Sequence, residues 1–339
     1  MLEREFYEDI ENVLIDKNIP WDDLKNKCVF ITGGTGLIGT AIIYALDSAN
    51  EQLHLNLKVL ALVRNIHRAE ERFNNIKSKG FLQYIEGSVE TLPEINEKID
   101  YIIHGASQTA SKEFVSHAVE TIQTSVMGTM NTLELAKKNP CLGYIYLSSM
   151  EVYGYPEKGH TVMENEIGTL SPLDLRNSYP LSKILAEAMC CAYAKEYSVP
   201  TRIIRLTQTY GPGISKEDTR IFAYIAKCVQ NGQNIVLKTK GQTERAYLYT
   251  SDAVTAVLTI LLKGEAGQAY NAADEDTYCS IAQMAEKIAK KNNIKVEYDI
   301  QDEAVNGYPK PLYMKLCTER LKNLGWKPMH KEDTETGMI

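Results

Sequence analysis

The chain has 339 residues, a formal net charge of −7 and seven cysteines. The length allows about two domains, and the acidic balance, with Lys and Arg scattered along the chain, argues against nucleic-acid binding. No apolar run approaches the roughly 20 residues that span a bilayer, and the charged start MLEREFYEDI lacks the apolar core of a signal peptide, so we expect a cytoplasmic protein without a membrane partner.

The cysteines and histidines do not follow the spacing of a metal site. The chain has no CxxC pair, and its six histidines show neither HxxH nor HExxH spacing. We therefore expect no metal ion and no disulfide framework, with the cysteines filling the core.

The first 25 residues precede the first predicted strand. Phe6, Ile10 and Val13 follow helical spacing, which predicts a short amphipathic helix packed outside the sheet. We treat residues 1–25 as an N-terminal helical extension to which the sequence assigns no chemistry.

A glycine-rich stretch, TGGTGLIG (residues 32–39), follows an apolar run and opens a helical pattern. This order predicts a strand, a tight turn and a helix. Glycines let backbone N–H groups approach a diphosphate, and the helix N-terminus favours negative charge. The pattern GxGxxG fits two registers, one starting at Gly34 and one starting at Gly33.

The next predicted strand ends at Val63 and is followed by Arg64. In a dinucleotide fold, a carboxylate at this point accepts a hydrogen bond from a free 2′-hydroxyl, whereas an arginine suits a 2′-phosphate. Arg64 therefore favours NADP over NAD, and the alternative is that Arg64 is an exposed charge at the strand end.

Strands and helices continue to alternate along the first half of the chain. This order predicts a doubly wound parallel sheet, with residues 105–108 at the edge where such sheets bind ligands. His104 at that edge is interpreted as a packed structural histidine. The predicted elements are strands at 81–86, 101–104 and 143–147 and a helix at 117–138.

Beyond residue 200 the predicted elements are shorter and mixed. We expect a Rossmann domain at 26–210, to which 240–262 returns, and a substrate-binding lobe formed mainly by 211–330. The polar segment 331–339 is predicted to be a disordered tail.

Two stretches carry the chemistry, LSSMEVYG (residues 147–154) and NSYPLSK (residues 177–183). Tyr179 and Lys183 stand one helical turn apart on one face. A phenol is a poor base at neutral pH, but a nearby ammonium stabilises the phenolate. Ser149, at the end of a central strand, can orient the same substrate hydroxyl.

With these residues the chain resembles the extended short-chain dehydrogenase/reductases, in particular their nucleotide-sugar epimerase and dehydratase branch. The resemblance implies an α/β Rossmann-type fold with a smaller C-terminal substrate-binding lobe, a bound NAD(P) and a nucleotide-diphosphate sugar as substrate. It also selects the register that starts at Gly33. The matching stretches are TGGTGLIG, SSMEVYG, YPLSK, RLTQTYGPG, RAYLYTSDAV, YNAA and LGWKP.

The resemblance also implies roles for individual residues. Tyr179 corresponds to the general base, Lys183 to its partner that holds the nicotinamide ribose, and Ser149 to the hydroxyl-binding serine. Substrate contacts are expected from Ser107, Gln208 and Arg245, with Arg245 at the diphosphate. Cofactor contacts are expected from Gly33, Thr35, Gly36, Leu37, Ile38, Gly39, Arg64, Ser88, Val89, Ala106, Tyr179 and Lys183.

A catalytic carboxylate distinguishes the reactions of this family from one another. A 4-epimerase needs no further acid or base after the 4-keto sugar forms, whereas a 4,6-dehydratase must also remove the C5 proton. Glu151 matches the dehydratase glutamate, although Met150 stands where one dehydratase class has an aspartate. We therefore expect a nucleotide-sugar 4,6-dehydratase. The alternatives are a 4-epimerase, a UDP-glucuronate decarboxylase, a 4-keto reductase and, outside enzymes, an NADP-binding sensor.

Two predicted helices, at 117–138 and 179–196, resemble the pair that forms a four-helix dimer interface in this family. By that analogy we expect a homodimer.

Overall fold

A seven-stranded sheet forms the centre of the protein, whose computed structural model describes residues 4–109, 113–214, 218, 220–301 and 310–330. The predicted disordered tail at 331–339 lies outside the described residues. Strands are numbered along the chain. The strands of the central sheet are β1 (Cys28–Thr32), β2 (Lys58–Val63), β3 (Leu82–Glu86), β4 (Tyr101–His104), β5 (Gly143–Ser149), β7 (Thr201–Leu206) and β11 (Gln268–Ala272).

All neighbouring strands of this sheet are parallel, and their order is β11-β7-β5-β4-β1-β2-β3. After β1 the chain adds β2 and β3 on one side of β1, and it then crosses back to add β4 and the later strands on the other side. The direction in which strands are added therefore reverses between β1 and β4. Ligands bind at such a reversal, outside the carboxyl ends of the strands. The sequence-based prediction of a Rossmann-type doubly wound sheet is confirmed.

Both faces of the sheet are buried, which explains the continuous apolar runs in its strands. In β1, Val29 and Ile31 pack into the core on one face, whereas Phe30 packs into the core on the other. Each core is closed by helices. The first face holds α1 (Arg4–Leu14), α2 (Leu37–Leu53) and α8 (Thr250–Lys263), and the second holds α5 (Ala118–Lys138) and α6 (Ser178–Tyr197).

The remaining strands form two smaller sheets. The five-stranded sheet has the order β12-β10-β14-β6, with β8 paired to β10, and the two-stranded sheet pairs β13 with β9. Their bounds are β6 (Thr161–Val162), β8 (Gln208–Tyr210), β9 (Ile235–Leu237), β10 (Glu244–Tyr249), β12 (Asp274–Ser280), β13 (Val296–Tyr298) and β14 (Tyr313–Leu316).

Short helices complete the described part of the chain. They are α3 (Ile66–Arg72), α4 (Glu113–Ser116), α7 (Ile221–Gln230), α9 (Ile281–Lys291) and α10 (Glu319–Lys322), with 3₁₀ turns at Trp21–Leu24, Met150–Tyr153 and Leu175–Asn177.

The segment 240–262 divides between two layers. Its strand β10 is central to the five-stranded sheet, whereas its helix α8 packs against the central sheet. Residues 161–162 join the five-stranded sheet from the first half of the chain, through pairing with Lys315 and Leu316. A two-residue strand has too few residues for an alternating pattern, so the sequence did not indicate it.

The N-terminal helix α1 is anchored by its apolar face. Phe6, Ile10 and Val13 are buried, and the ring of Phe6 packs edge-on against Tyr44 of α2, with 5.4 Å between the ring centroids. The other end of the described chain is held by Trp326, whose indole N–H donates to Thr255 at 2.9 Å.

Candidate active site

The glycine turn (residues 32–39) is shaped by close backbone contacts. Gly33 has a φ of 73°, and a Cβ atom there would lie 2.6 Å from the carbonyl carbon of Gly105 in the turn after β4. A Cβ atom on Gly39 would lie 2.3 Å from the carbonyl oxygen of Gly33. Neither position accepts a side chain without displacing backbone, so Gly33 lets the turn after β1 approach the turn after β4, and Gly39 lets α2 begin close to Gly33.

The first turn of α2 presents donors to the crevice at this edge. Its N-cap is Gly36, which makes no side-chain capping bond, and Thr35 and Gly36 are exposed. The first backbone N–H groups of a helix have no partner within the helix. With Leu37, Ile38 and Gly39 following the cap, the turn has the donors and the dipole direction that a diphosphate requires.

A buried histidine supports this turn from behind. His104 at the end of β4 lies 2.7 Å from the hydroxyl of Thr32 and 3.2 Å from that of Thr129, and the Ala106 N–H donates to Thr32 at 3.2 Å. Burial, together with the charge of Lys183, lowers the pKa of His104 to about 3. The structure places His104 in the core as a neutral packing residue.

The other residues expected at the cofactor lie along the same edge. Arg64 is exposed directly after β2, and Ser88 follows β3 with its hydroxyl 3.0 Å from that of Thr91. Val89 is buried, and its side chain would contact a Cβ on Gly128 at 2.7 Å. Val89 therefore also serves to seat α5 against the sheet.

Tyr179, in the first turn of α6, lies against an aromatic ring. It is buried and stacks on Phe114 of α4, with 4.3 Å between ring centroids and 3° between ring planes. Ser149, the last residue of β5, hydrogen-bonds the Tyr179 side chain. Burial raises the pKa of Tyr179 well above its ordinary value, and the charge of Glu151 raises it further, whereas Ser149 and Arg176 lower it.

Lys183 lies one turn after Tyr179 and is almost fully buried. Its ammonium donates to the Leu147 carbonyl at 2.7 Å and lies 5.6 Å from the centre of the Tyr179 ring. Burial lowers the pKa of Lys183 to about 7, although the carboxylate of Glu187 opposes this shift. The structure therefore brings Lys183 close to Tyr179 while its ammonium is bonded to β5.

Glu151 lies on the 3₁₀ turn that follows Ser149, where its backbone N–H donates to the Ser149 hydroxyl at 3.2 Å. Both of its carboxylate oxygens accept from Arg176, at 3.0 and 3.3 Å. The guanidinium of Arg176 also lies 4.9 Å from the centre of the Phe114 ring. The neighbouring Met150 instead points into the core, where the Thr207 hydroxyl donates to its sulfur at 3.3 Å.

Gln208 and Arg245 meet where β8 pairs with β10. The Nη1 atom of Arg245 donates to Gln208 Oε1 at 2.8 Å, whereas its buried Nε has no hydrogen-bond partner among the described residues. A buried guanidinium with a free donor is costly unless a ligand completes it. Ser107 lies apart from this pair, after β4, with its hydroxyl donating to the Gln108 carbonyl at 3.2 Å.

A buried ion pair holds the two halves of the site together. Arg205 of β7 donates to Glu187 of α6 at 2.7 Å, to the Tyr153 hydroxyl at 2.7 Å and to the Glu164 carbonyl at 2.9 Å. Glu187 also accepts from Ser148 at 2.5 Å. This Arg205 network ties the helix that carries Tyr179 to the loops that lead into the five-stranded sheet.

Comparison with known proteins identifies the family. The model of the NAD dependent epimerase/dehydratase family matches residues 29–273. The chain belongs to the NAD dependent epimerase/dehydratase family.

Members of this family resemble the chain over most of its length. A dTDP-D-glucose 4,6-dehydratase of Mus musculus is 28% identical over 313 residues, covering 89% of this chain and 84% of the relative. UDP-glucuronic acid decarboxylase 1 of Danio rerio is 26% identical over 307 residues, covering 89% and 69%. The fold matches that of a dTDP-glucose 4,6-dehydratase from Bacillus anthracis in complex with NAD, with a TM-score of 0.74, 21% identity and coverage of 92% and 94%.

Two site residues of this family member were not indicated by its sequence. Phe114 looks like any apolar core residue, and Arg176 lies in a polar loop where arginine is ordinary. One signal could have drawn attention to Arg176, since it stands three positions before Tyr179. Among the described residues, no cluster of His, Cys, Asp and Glu could hold a metal ion, and no helix is long and apolar enough to cross a membrane.

Proposed function

We propose that this member of the family is a nucleotide-sugar 4,6-dehydratase. The observation that carries the proposal is a carboxylate, Glu151, on the turn after Ser149 and close enough to Tyr179 to act on its ionisation. An epimerase requires no such group, whereas removal of a C5 proton does.

The residues at the strand ends fit a dinucleotide. The glycine turn would hold the diphosphate, Arg64, Ser88 and Val89 would lie at the adenosine, and Ala106, Tyr179 and Lys183 would lie at the nicotinamide ribose. When bound, the nicotinamide supplies reversible hydride acceptance from the sugar. Arg64, exposed after β2, supports NADP over NAD because a guanidinium matches a 2′-phosphate.

The first proton transfer is assigned to Tyr179. Its phenol is hydrogen-bonded to Ser149, so both hydroxyls can orient the C4 hydroxyl of the sugar, and Tyr179 takes the proton as the 4-keto sugar forms. Because burial disfavours the phenolate, nearby cations are needed, and Lys183 supplies one from the same helix.

The second proton transfer is assigned to Glu151. The 4-keto group acidifies the C5 proton, which Glu151 removes as the C6 hydroxyl departs as water. Met150 is packed in the core and offers no proton. Glu151 therefore passes the proton taken from C5 to the departing C6 oxygen. The resulting 5,6-alkene would become the 4-keto-6-deoxy sugar when the hydride taken from C4 is returned to C6 and a proton is added at C5.

The substrate diphosphate is assigned to Arg245, whose buried Nε has no partner among the described residues. Gln208 accepts a hydrogen bond from this guanidinium, and Ser107, which follows β4, is proposed as a further substrate contact. We propose the same division of the chain as before, with a Rossmann domain at 26–210 to which 240–262 returns and a substrate lobe formed mainly by 211–330.

The test is a substrate panel. Purified protein with NADP+ or NAD+ is incubated with dTDP-, UDP-, GDP- and CDP-glucose, and the alkali-induced absorbance of a 4-keto-6-deoxy sugar is measured. We expect this product from one of them. An isomeric hexose as the only product would show a 4-epimerase instead.

Variants assign the steps. Tyr179→Phe should lose at least about 100-fold in turnover, the usual range for a general base. Glu151→Gln should abolish dehydration but still reduce the cofactor in a single turnover. Full net activity of Glu151→Gln would mean that Glu151 is structural. A protein that shows no turnover as wild type, and whose response to NADP is unchanged in both variants, would be a sensor.

A second candidate is a UDP-glucuronate decarboxylase, favoured by the similarity to relatives of that name over 89% of the chain. Adding UDP-glucuronate to the panel tests it, since decarboxylation releases carbon dioxide and a UDP-pentose. A 4-keto reductase would instead consume NADPH with a 4-keto substrate.

We further propose a homodimer through α5 and α6. Apolar side chains are exposed on the outer face of these helices, including Val119 (64% exposed), Met130 (48%) and Leu185 (50%). A monomer would leave this patch in water. Light scattering should give twice the chain mass, and Met130→Glu with Leu185→Glu should reduce it to a monomer.

A further inference from the structure

The ion pair between Glu151 and Arg176 has no place in the steps assigned above. It joins two 3₁₀ turns, Met150–Tyr153 and Leu175–Asn177, the second of which directly precedes the helix that carries Tyr179. The guanidinium holds both carboxylate oxygens, at 3.0 and 3.3 Å, and the two side chains are 35% and 26% exposed. This two-point contact sets the orientation of the carboxylate, which a single contact from a lysine would not.

The turn that carries Arg176 is itself fixed. Asp174 accepts from the Arg176 backbone N–H at 3.0 Å, and the Asn177 amide donates to the Ser171 carbonyl at 3.0 Å. The hydroxyl of Ser178 donates to the Phe114 carbonyl at 2.7 Å. Phe114 therefore contacts this turn through its backbone, and its ring contacts both Arg176 and Tyr179.

The charges around Tyr179 show why such a cation is needed. Ionisation of Tyr179 would place a second negative charge near the Glu151 carboxylate, and the charge of Glu151 opposes that ionisation. Lys183, from the same helix, is bonded to the Leu147 carbonyl, and its pKa is lowered to about 7 by burial. Tyr146 of β5 is a buried neutral phenol, whose pKa burial raises well above its ordinary value. A guanidinium is the most persistent cation among protein side chains, and Arg176 places one at Glu151.

We propose that Arg176 is a positioning residue of this site, which orients Glu151 next to Tyr179 and offsets the charge of Glu151 when Tyr179 is in the phenolate form that accepts the sugar proton. The inference rests on the proposed role of Tyr179 as the base. It assigns Arg176 no contact with the sugar.

The test measures the ionisation of residue 179 without substrate. 3,5-Difluorotyrosine, whose phenol is more acidic than that of tyrosine, is incorporated at position 179 of the full chain with its dinucleotide bound, and its titration is followed by ¹⁹F NMR. Arg176→Met should raise the midpoint by about one pH unit, because it leaves Glu151 uncompensated. Glu151→Gln should lower the midpoint.

The double variant separates this role from a structural one. Removing both charges in Arg176→Met/Glu151→Gln should bring the midpoint closer to wild type than in Arg176→Met alone. Arg176→Lys keeps the charge and serves as the matched control, so its midpoint should stay near that of wild type even if the helix turn relaxes. A double variant no closer to wild type than Arg176→Met, or an unchanged midpoint in Arg176→Met, would overturn the inference.

The result is distinguishable from failure of the proposed function. Loss of turnover in Tyr179→Phe with no shift in Arg176→Met removes only the role of Arg176. Retained turnover in Tyr179→Phe removes the base itself, and with it the inference.

Discussion

The glycine turn and the Arg205 network solve the same problem, which is to hold distant segments of chain together, by opposite means. The glycine turn works through the absence of side chains, since backbone atoms of Gly33 and Gly105 approach too closely for a Cβ. The Arg205 network works through side chains, with a buried arginine satisfied by a carboxylate, a hydroxyl and a carbonyl. The glycine turn is encoded by one short stretch of sequence, whereas the Arg205 network depends on residues from four separate segments.

Breaking the Arg205 network should have the largest effect on stability. Arg205→Met leaves Glu187 buried without its partner, and the free energy of unfolding should fall by about 4 kcal/mol, as for other broken buried pairs. Urea unfolding measures this change. The exposed pair of Arg4 and Glu8 gives a control, because Arg4→Met should cause no measurable change. Equal effects of the two substitutions would contradict the comparison.

Filling the glycine turn should have the next largest effect. Gly33 and Gly80 have φ angles of 73° and 74°, but a Cβ on Gly80 would meet no atom within 4 Å. Both alanine variants introduce left-handed strain, of about 1 kcal/mol. Gly33→Ala should cost about 2 kcal/mol more, because the backbone at Gly105 must move.

The two glycine variants should also differ in function. Displacing the turn by about 1 Å should reduce turnover about 100-fold in Gly33→Ala, and NADP+ titration should show weaker binding. Gly80→Ala should bind NADP+ as wild type does. If it weakens binding to the same extent, backbone strain rather than close contact explains the glycine.

The burial of Lys183 should make the free energy of unfolding of the protein depend on pH. Its pKa falls from an ordinary 10.5 to about 7 in the folded protein, so between these values the unfolded chain binds more protons and stability rises with pH. From pH 7 to 9 the gain should be about 2 kcal/mol. Lys183→Met should remove this gain in urea unfolding, whereas Lys195→Met, exposed on the same helix, should retain it.

Arg64 is exposed, so its effect on the protein should be limited to cofactor binding. Arg64→Ser should weaken NADP+ binding about tenfold, which is about 1.4 kcal/mol, and leave NAD+ binding unchanged. Fluorescence titration with both dinucleotides measures the ratio. Arg68→Ser is the control on the following helix, and a loss of NAD+ affinity in Arg64→Ser would point to a general electrostatic effect.

The parallel, doubly wound form of the central sheet could be predicted because its signals are local, whereas the order of its strands came from the structure. Each buried strand is an apolar run, and the strands alternate with helical patterns. The bounds of β4 agree with the predicted strand at 101–104, whereas β3 begins one residue later than the predicted strand at 81–86 and β5 extends two residues beyond the predicted strand at 143–147. The five-stranded sheet was not anticipated as a unit, because its strands come from both halves of the chain and include one of two residues.

The sequence by itself determined the family, the glycine turn and the pairing of Tyr179 with Lys183. Each of these depends on spacing within one short stretch, where one helical turn or one tight turn sets the geometry. The tertiary structure decided which groups surround Tyr179. Arg176 reaches Glu151 across 25 positions, and Phe114 stacks on Tyr179 from another helix. Contacts between residues that are distant along the chain leave no periodic pattern, so they became visible only when the sheet and its helices were in place.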